Sequence, residues 1–171
     1  MASYRPDVSL YRFWPHDLEC LSDAADADMR AVWDTPLFAY TVRDVADWLA
    51  APRVLAVIAR DVHLAPAGWG LAMGMPAGPA RLVRVAVIPS WRRAGVGLGL
   101  VRYLLKGGWK RMHARIPMAL LPGPAALLKA AGFRASHVIP ARGDEDEMVA
   151  MHWGQDAKAL CAPVGGEGGH A

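Results

Sequence analysis

Arg92, Arg93, Gly95 and Gly97 fall within six residues, directly after the apolar run Leu82–Ile88 and Pro89. Glycine has no Cβ, so an anion can approach backbone N–H groups closely at such positions. Two adjacent guanidinium groups add attraction and charge-assisted hydrogen bonds. A helix-patterned stretch follows from Val96, which turns its unpaired N–H groups and the positive end of its dipole toward the same place. The chemistry this suits is the binding of a pyrophosphate. Two familiar phosphate motifs do not fit. A P-loop requires Gly-Lys-Ser/Thr, whereas Gly97 is followed by Leu98-Gly99-Leu100. A dinucleotide fingerprint beginning at Gly95 requires glycine where Leu100 stands, and an acidic ribose ligand roughly 20 residues on.

Groups able to move protons are sparse around that loop. Tyr40, His137 and Glu147 are the candidates, each with an ordinary alternative: Tyr40 as a packing or rim residue, His137 as a surface or capping histidine, Glu147 as part of a solvated loop. His63 and His113 read as loop and helix-end residues, and Tyr103 as a helix packing residue. Two isolated cysteines, Cys20 and Cys161, point to neither a disulfide framework nor a zinc site, and no metal is expected.

The elements that must position these groups alternate between strand and helix. Strands are expected at Val8–Phe13, Val54–Ala59, Trp69–Met75, Leu82–Ile88, Ile116–Leu121, Phe133–Ile139 and Met148–Trp153. Helices are expected at Leu18–Trp33, at Val42–Ala50 after Thr41, from Val96 to Met112, and at Ala125–Ala131, where Gly132 ends the last. Gly107-Gly108 weakens the final turns of the third helix. The expectation is an α/β (α+β) domain over residues 1–155, with a disordered tail at 156–171.

The chain has 171 residues, 54% of them hydrophobic, and a formal charge of +3, which excludes an intrinsically disordered polymer. That small charge hides an asymmetry. Residues 1–61 carry a net −4, residues 62–143 carry +12 with no carboxylate, and residues 144–171 carry −5. A carboxylate-free stretch of this size suits an anionic partner, and it supplies no general base. Arg102, Lys106, Lys110, Arg111 and Arg115, assigned to the helix that starts at Val96 and spaced by about four residues, would make a basic stripe. Contact with nucleic acid is compatible with that stripe but not required, since no groove-reading or aromatic recognition motif accompanies it. The start lacks a signal-peptide core and no apolar run is long enough to span a bilayer, so a cytoplasmic protein with no membrane partner is expected.

The segment Arg92-x-x-Gly95-x-Gly97, placed after Val-Arg-Val-Ala-Val-Ile-Pro and followed downstream by Ala130-Ala131-Gly132-Phe133, resembles motif A of the GNAT acyltransferase superfamily. Residues 40–49, YTVRDVADWL, and the closing Asp146–Met151 resemble most closely the ribosomal-protein alanine N-acetyltransferases, with Tyr40 at their tryptophan position. The resemblance spans roughly residues 8–153. It implies a GNAT fold, a central mixed and mostly antiparallel sheet of six to seven strands flanked by about four helices. It also implies acetyl-CoA as co-substrate. Val85, Ala86 and Val87 would offer backbone groups to the pantetheine arm, while Arg92, Arg93, Ala94, Gly95, Val96, Gly97 and Leu98 would hold the pyrophosphate. The acceptor implied is a primary amine, foremost a protein or peptide N-terminal α-amine such as that of a ribosomal protein. The chain departs from the family where proton transfer is expected. Leu128 stands at the general-acid tyrosine, Leu121 at a coenzyme-contacting asparagine and Ile116 at the general-base glutamate. A catalytically silent acyl-CoA-binding module and a small-molecule amine acetyltransferase are the alternatives this leaves.

Overall fold

Runs of β-branched and apolar residues build seven strands in a computed structural model that describes residues 8–12, 53–76, 78–141 and 146–154. They are β1 (Val8–Arg12), β2 (Val54–Asp61), β3 (Pro66–Met73), β4 (Ala80–Val87), β5 (Arg111–Pro117), β6 (Arg134–Ile139) and β7 (Met148–Gly154). Among the described residues two α-helices accompany them, α1 (Val96–Leu105) between β4 and β5 and α2 (Gly123–Ala130) between β5 and β6. The strands form one sheet in the order β1-β2-β3-β4-β5-β7-β6. Every neighbouring pair is antiparallel except β4 and β5. This is the mixed, mostly antiparallel sheet expected from the sequence. The helices expected at Leu18–Trp33 and Val42–Ala50, the tail 156–171, both cysteines and Tyr40 lie outside the described residues.

Alternation along the strands gives the sheet two buried faces over its first half. In β2, Val57 and Ala59 join the core beneath α1, whereas Ala56 and Ile58 are buried on the opposite face. From α1, Val96, Leu100, Val101 and Leu104 supply the matching stripe at helical spacing, all at most 2% exposed. Burying a leucine of this kind stabilises the fold by about 1.5–3 kcal/mol. The helix lies close to β3 because glycines pave its path. A Cβ on Gly70 would stand 3.0 Å from Leu104 Cδ1, and one on Gly68 would stand 2.6 Å from the carbonyl oxygen of Ala86.

The third helix is shorter than the sequence suggested. It ends at Leu105, where Lys106 and Gly107 N–H groups bond back to the Tyr103 and Leu104 carbonyls, and Trp109 Nε1 donates to Leu104 C=O at 2.8 Å. Gly108 then turns the chain at φ +81°, a conformation glycine adopts without steric cost. Arg111–Pro117 is strand, not helix followed by strand. Met112, Ala114 and Ile116 point inward while Arg111 and Arg115 are exposed, so a period of two overrides the helical pattern. The proposed basic stripe is therefore divided. Arg102 lies on α1, Lys106 and Lys110 in the turn, and Arg111 and Arg115 on β5.

One irregularity governs the site. Leu71 pairs with Arg84 but Ala72 with Leu82, so Val83 is an extra residue in β4. The bulge reverses the strand's phase. Ala80 and Leu82 before it, and Val85 and Val87 after it, all face α1, while Arg84 and Ala86 turn to the other side.

Candidate functional site

The parallel ladder between β4 and β5 consists of Ala80–Met112 and Arg81–His113, and no further rung is formed among the described residues. Past the bulge the two strands diverge, leaving a gap with Val85–Val87 on one wall and Arg115–Pro117 on the other. Ile88 N–H donates to Ala67 C=O on β3 at 3.1 Å. Because successive N–H groups along a strand alternate, those of Val85 and Val87 point away from β3, into the gap. The Val87 carbonyl on the same side accepts a bond from Arg92 Nε at 3.2 Å.

The loop beyond β4 is built to leave donors unused. Trp91 and Arg92 N–H groups bond to Ile88 and Pro89 carbonyls, and the next N–H to bond back is that of Gly99, to Gly95 C=O at 3.0 Å. The N–H groups from Arg93 to Leu98 have no backbone acceptor among the described residues. Arg93 sits at φ +65° and Gly95 at φ +83°. A left-handed conformation in a non-glycine residue costs on the order of 1 kcal/mol, and such strain collects at binding sites. Gly95 caps α1 with no side-chain hydrogen bond, and a Cβ there would meet nothing within 4 Å. The loop therefore opens on space at Gly95. Gly97 is different: its missing Cβ would lie 3.3 Å from Leu127 and 3.4 Å from Val87, so it fits the helix against α2 and β4. Trp91 is half-buried against the core beside the loop.

The structure thus brings Val85, Ala86 and Val87 to the same end of the sheet as Arg92–Leu98. The proton-transfer candidates are less closely gathered. Glu147 is exposed just before β7, and its carbonyl accepts the Met118 N–H at 2.8 Å, which places it beside the end of β5. His137 is exposed on β6, the edge strand, and its Nδ1 lies 2.9 Å from Ser136 Oγ. His63 lies in a turn held by Asp61, as expected of a loop residue. Ile116 and Leu128, at 4% and 5% exposure, are core residues.

Sequence reasoning missed a row of histidines. His113 is on β5, not at a helix end, and pairs directly with His152 on β7. Their ring centroids are 6.5 Å apart, and His137 stands 6.3 Å from His152 on the far side. Burial first, then the cations of Arg81 and Arg115 and the neighbouring His152, hold His113 below its ordinary value of 6.5. Burial and His137 lower His152 likewise. Alternation in Arg-Met-His-Ala-Arg-Ile and Met-Val-Ala-Met-His was the available signal. Among the described residues no group of three or more His, Cys, Asp or Glu is placed to hold a metal ion. None of the described helices is long and apolar enough to cross a membrane.

No protein-family model matches the sequence, and neither does any curated protein. Solved structures do share its architecture. A protein of the GNAT family from Desulfovibrio desulfuricans superposes with a TM-score of 0.63 at 22% identity, covering 86% of this chain and 98% of its own. The ribosomal-protein-S18-alanine N-acetyltransferase from Escherichia coli gives 0.62 at 17% identity, covering 85% and 92%. A variant of the spermidine N-acetyltransferase SpeG from Vibrio cholerae gives 0.66 at 10% identity, covering 86% and 93%. The chain has the GNAT fold, and at these identities the likeness is one of fold.

Proposed function

We propose that the protein is a cytoplasmic N-acetyltransferase that moves an acetyl group from acetyl-CoA to a primary amine, with a protein or peptide N-terminal α-amine as acceptor. The observation that carries this reading is the juxtaposition of a strand that leaves its ladder with a loop whose N–H groups are unspent. Three features of the loop support a pyrophosphate there: N–H groups from Arg93 to Leu98 without a backbone acceptor among the described residues, open space at Gly95, and the positive end of α1. The gap fits an extended arm, because Val85 and Val87 present strand-edge hydrogen-bonding groups there. Acetyl-CoA, when bound, supplies the activated acyl group. This chain then binds and orients it, and the Val87 N–H is the backbone donor available to polarise its carbonyl.

The acceptor assignment follows from what the described residues of the gap lack. Ile116 and Leu128 move no protons, and Glu147 is the described carboxylate nearest the end of β5. An α-amine, with a pKa of about 7.7–8.0, is partly neutral near pH 7–8, whereas a lysine amine at about 10.4 needs a strong base. Positioning then carries much of the rate. A ribosomal protein is one such acceptor, since the Escherichia coli neighbour is named for one.

A second reading has its own support: the burial of Ile116 and Leu128 where the family places its proton-transfer groups suits a silent acyl-CoA-binding module. Calorimetry with acetyl-CoA tests both at once, and undetectable binding at millimolar ligand rejects both. Thiol release over a panel of amine peptides and small amines separates them. Turnover above the solvent background establishes the enzyme, and binding without turnover on any acceptor establishes the module.

A further inference from the structure

The sheet face opposite α1 carries an aligned row of arginines and histidines. Arg81 on β4 pairs with His113 on β5, His113 with His152 on β7, and His152 with Arg134 on β6. One step nearer the open end of the gap, Arg115 and His137 both oppose Ala150 and take the same face. Alternation fixes this, because Met112, Ala114, Ile116 and Met151 between them belong to the core under α1. Arg81, Arg115, Arg134 and His137 are exposed, and His113 and His152 are half-buried.

No carboxylate among the described residues neutralises the row. Asp61 is engaged by the N–H groups of His63 and Ala65 on β2 and its turn. Asp146 and Glu147 precede β7, at the end away from His152. Burial first, then the neighbouring Arg81, Arg115 and His152, disfavour a proton on His113.

From these observations we infer that the acceptor is acidic: a polypeptide whose reacting amine is followed within about four residues by Asp or Glu. This rests on the acetyl-transfer reading. With the loop and α1 on one face, the amine reaches the gap from the other, and the row begins at the vertex of that gap. Four strands about 4.8 Å apart make a track about 14 Å long. An extended chain rising about 3.3 Å per residue lays roughly four residues along it. Planar guanidinium groups at Arg115, Arg81 and Arg134 match carboxylates bidentately. Among the described residues of β4 to β7 this face carries no Phe, Tyr or Trp of the kind on which unpaired nucleic-acid bases stack. A polyamine acceptor would meet repulsion from Arg81, Arg115 and Arg134.

The test uses the full chain and two fluorescent peptides with the same first residue, Ser-Glu-Asp-Glu-Gly and Ser-Lys-Arg-Lys-Gly. Binding is read by anisotropy with saturating coenzyme A, and transfer by thiol release. The acidic peptide should bind about tenfold tighter, with the difference shrinking at 0.5 M salt. The double variant Arg81→Glu/Arg134→Glu should reverse the order, and Arg81→Gln/Arg134→Gln, at exposed positions, should flatten it. Equal binding, preference for the basic peptide, no binding of either, or an unaltered order in the variants overturns the proposal. So does a uridine 20-mer that binds more tightly than the acidic peptide. Failure of acetyl-CoA to bind in calorimetry would instead strike the transfer reading, because peptide anisotropy is measured independently of turnover.

Discussion

Replacing glycine by alanine at two positions should move stability in opposite directions. At Gly68 the added Cβ would lie 2.6 Å from the Ala86 carbonyl oxygen, 3.2 Å from Val87 Cα and 3.3 Å from Leu100 Cδ1. Contacts of this kind do not fall below 3.0 Å, so β3 and β4 must part by about 0.4 Å against a backbone atom that has no rotamer to escape into. Overpacking of this sort costs about 1–3 kcal/mol, and stretching the neighbouring ladder bonds adds about 1 kcal/mol. A loss of about 2–3 kcal/mol is expected, which for a chain of this size lowers Tm by about 5–10 °C. At Gly99, inside α1, the Cβ would lie 3.6 Å from Leu10 Cδ1, an ordinary contact. Alanine gains up to about 0.8–1 kcal/mol over glycine in a helix interior, so Tm should rise by about 2–4 °C. Urea unfolding followed by far-UV circular dichroism decides, with the midpoints shifting apart at constant slope. If Gly68→Ala unfolds within 0.5 kcal/mol of the parent, by the same order-of-magnitude reckoning, the tight β3–β4 approach is wrong. Gly68→Ala should also weaken acetyl-CoA binding, because the displaced residues are those facing the gap.

Leu104→Ala, at a site with 0% exposure, should cost about 2–5 kcal/mol in the same assay. Arg93→Gly exchanges left-handed strain at φ +65° against glycine's larger unfolded-state entropy, so stability should change by less than about 1 kcal/mol. Its acetyl-CoA affinity should nevertheless fall about tenfold by calorimetry, with one charge-assisted contact gone. For pH, His113 and His152 are both held below 6.5 in the folded protein, so the unfolded chain takes up protons first as pH falls. Stability should be full above about pH 6.5 and decline below it. The double variant His113→Gln/His152→Gln should flatten that part of a Tm-against-pH profile.

The legible parts of the sequence were those where one local rule acted alone. Leu82–Ile88, the loop from Pro89 and the start of α1 at Val96 were marked by composition and punctuation. The roles expected of Val85, Ala86 and Val87 came instead from the resemblance to motif A. Where two rules competed, the pattern misled. Arg111–Arg115 carries good helix formers at helical spacing, yet the Gly107-Gly108 turn and the inward Met112, Ala114 and Ile116 make it strand. That one reassignment hid His113 from view and with it the histidine row, which exists only through the cross-strand register of β5, β7 and β6. The bulge at Val83 was invisible for a related reason. Leu-Val-Arg-Val-Ala-Val reads as smooth alternation, and only the partner strand shows that its phase changes midway.

Among the described residues, two rungs between β4 and β5 join β1–β4 to β5, β7 and β6 within the sheet. Mechanically, the molecule is a pair of plates meeting at a short seam, with α1 and α2 laid across as a splint through Gly97, Leu127 and Val87. Each plate carries its own complete ladders, so opening about the Arg81–His113 seam breaks few bonds, whereas opening within a plate breaks many. Amide protons of β2, β3 and α1 should therefore exchange as one cooperative unit and those of β5, β6 and β7 as another. A molecule spanning the gap would tie the two together, raising the cooperativity of unfolding as well as its midpoint.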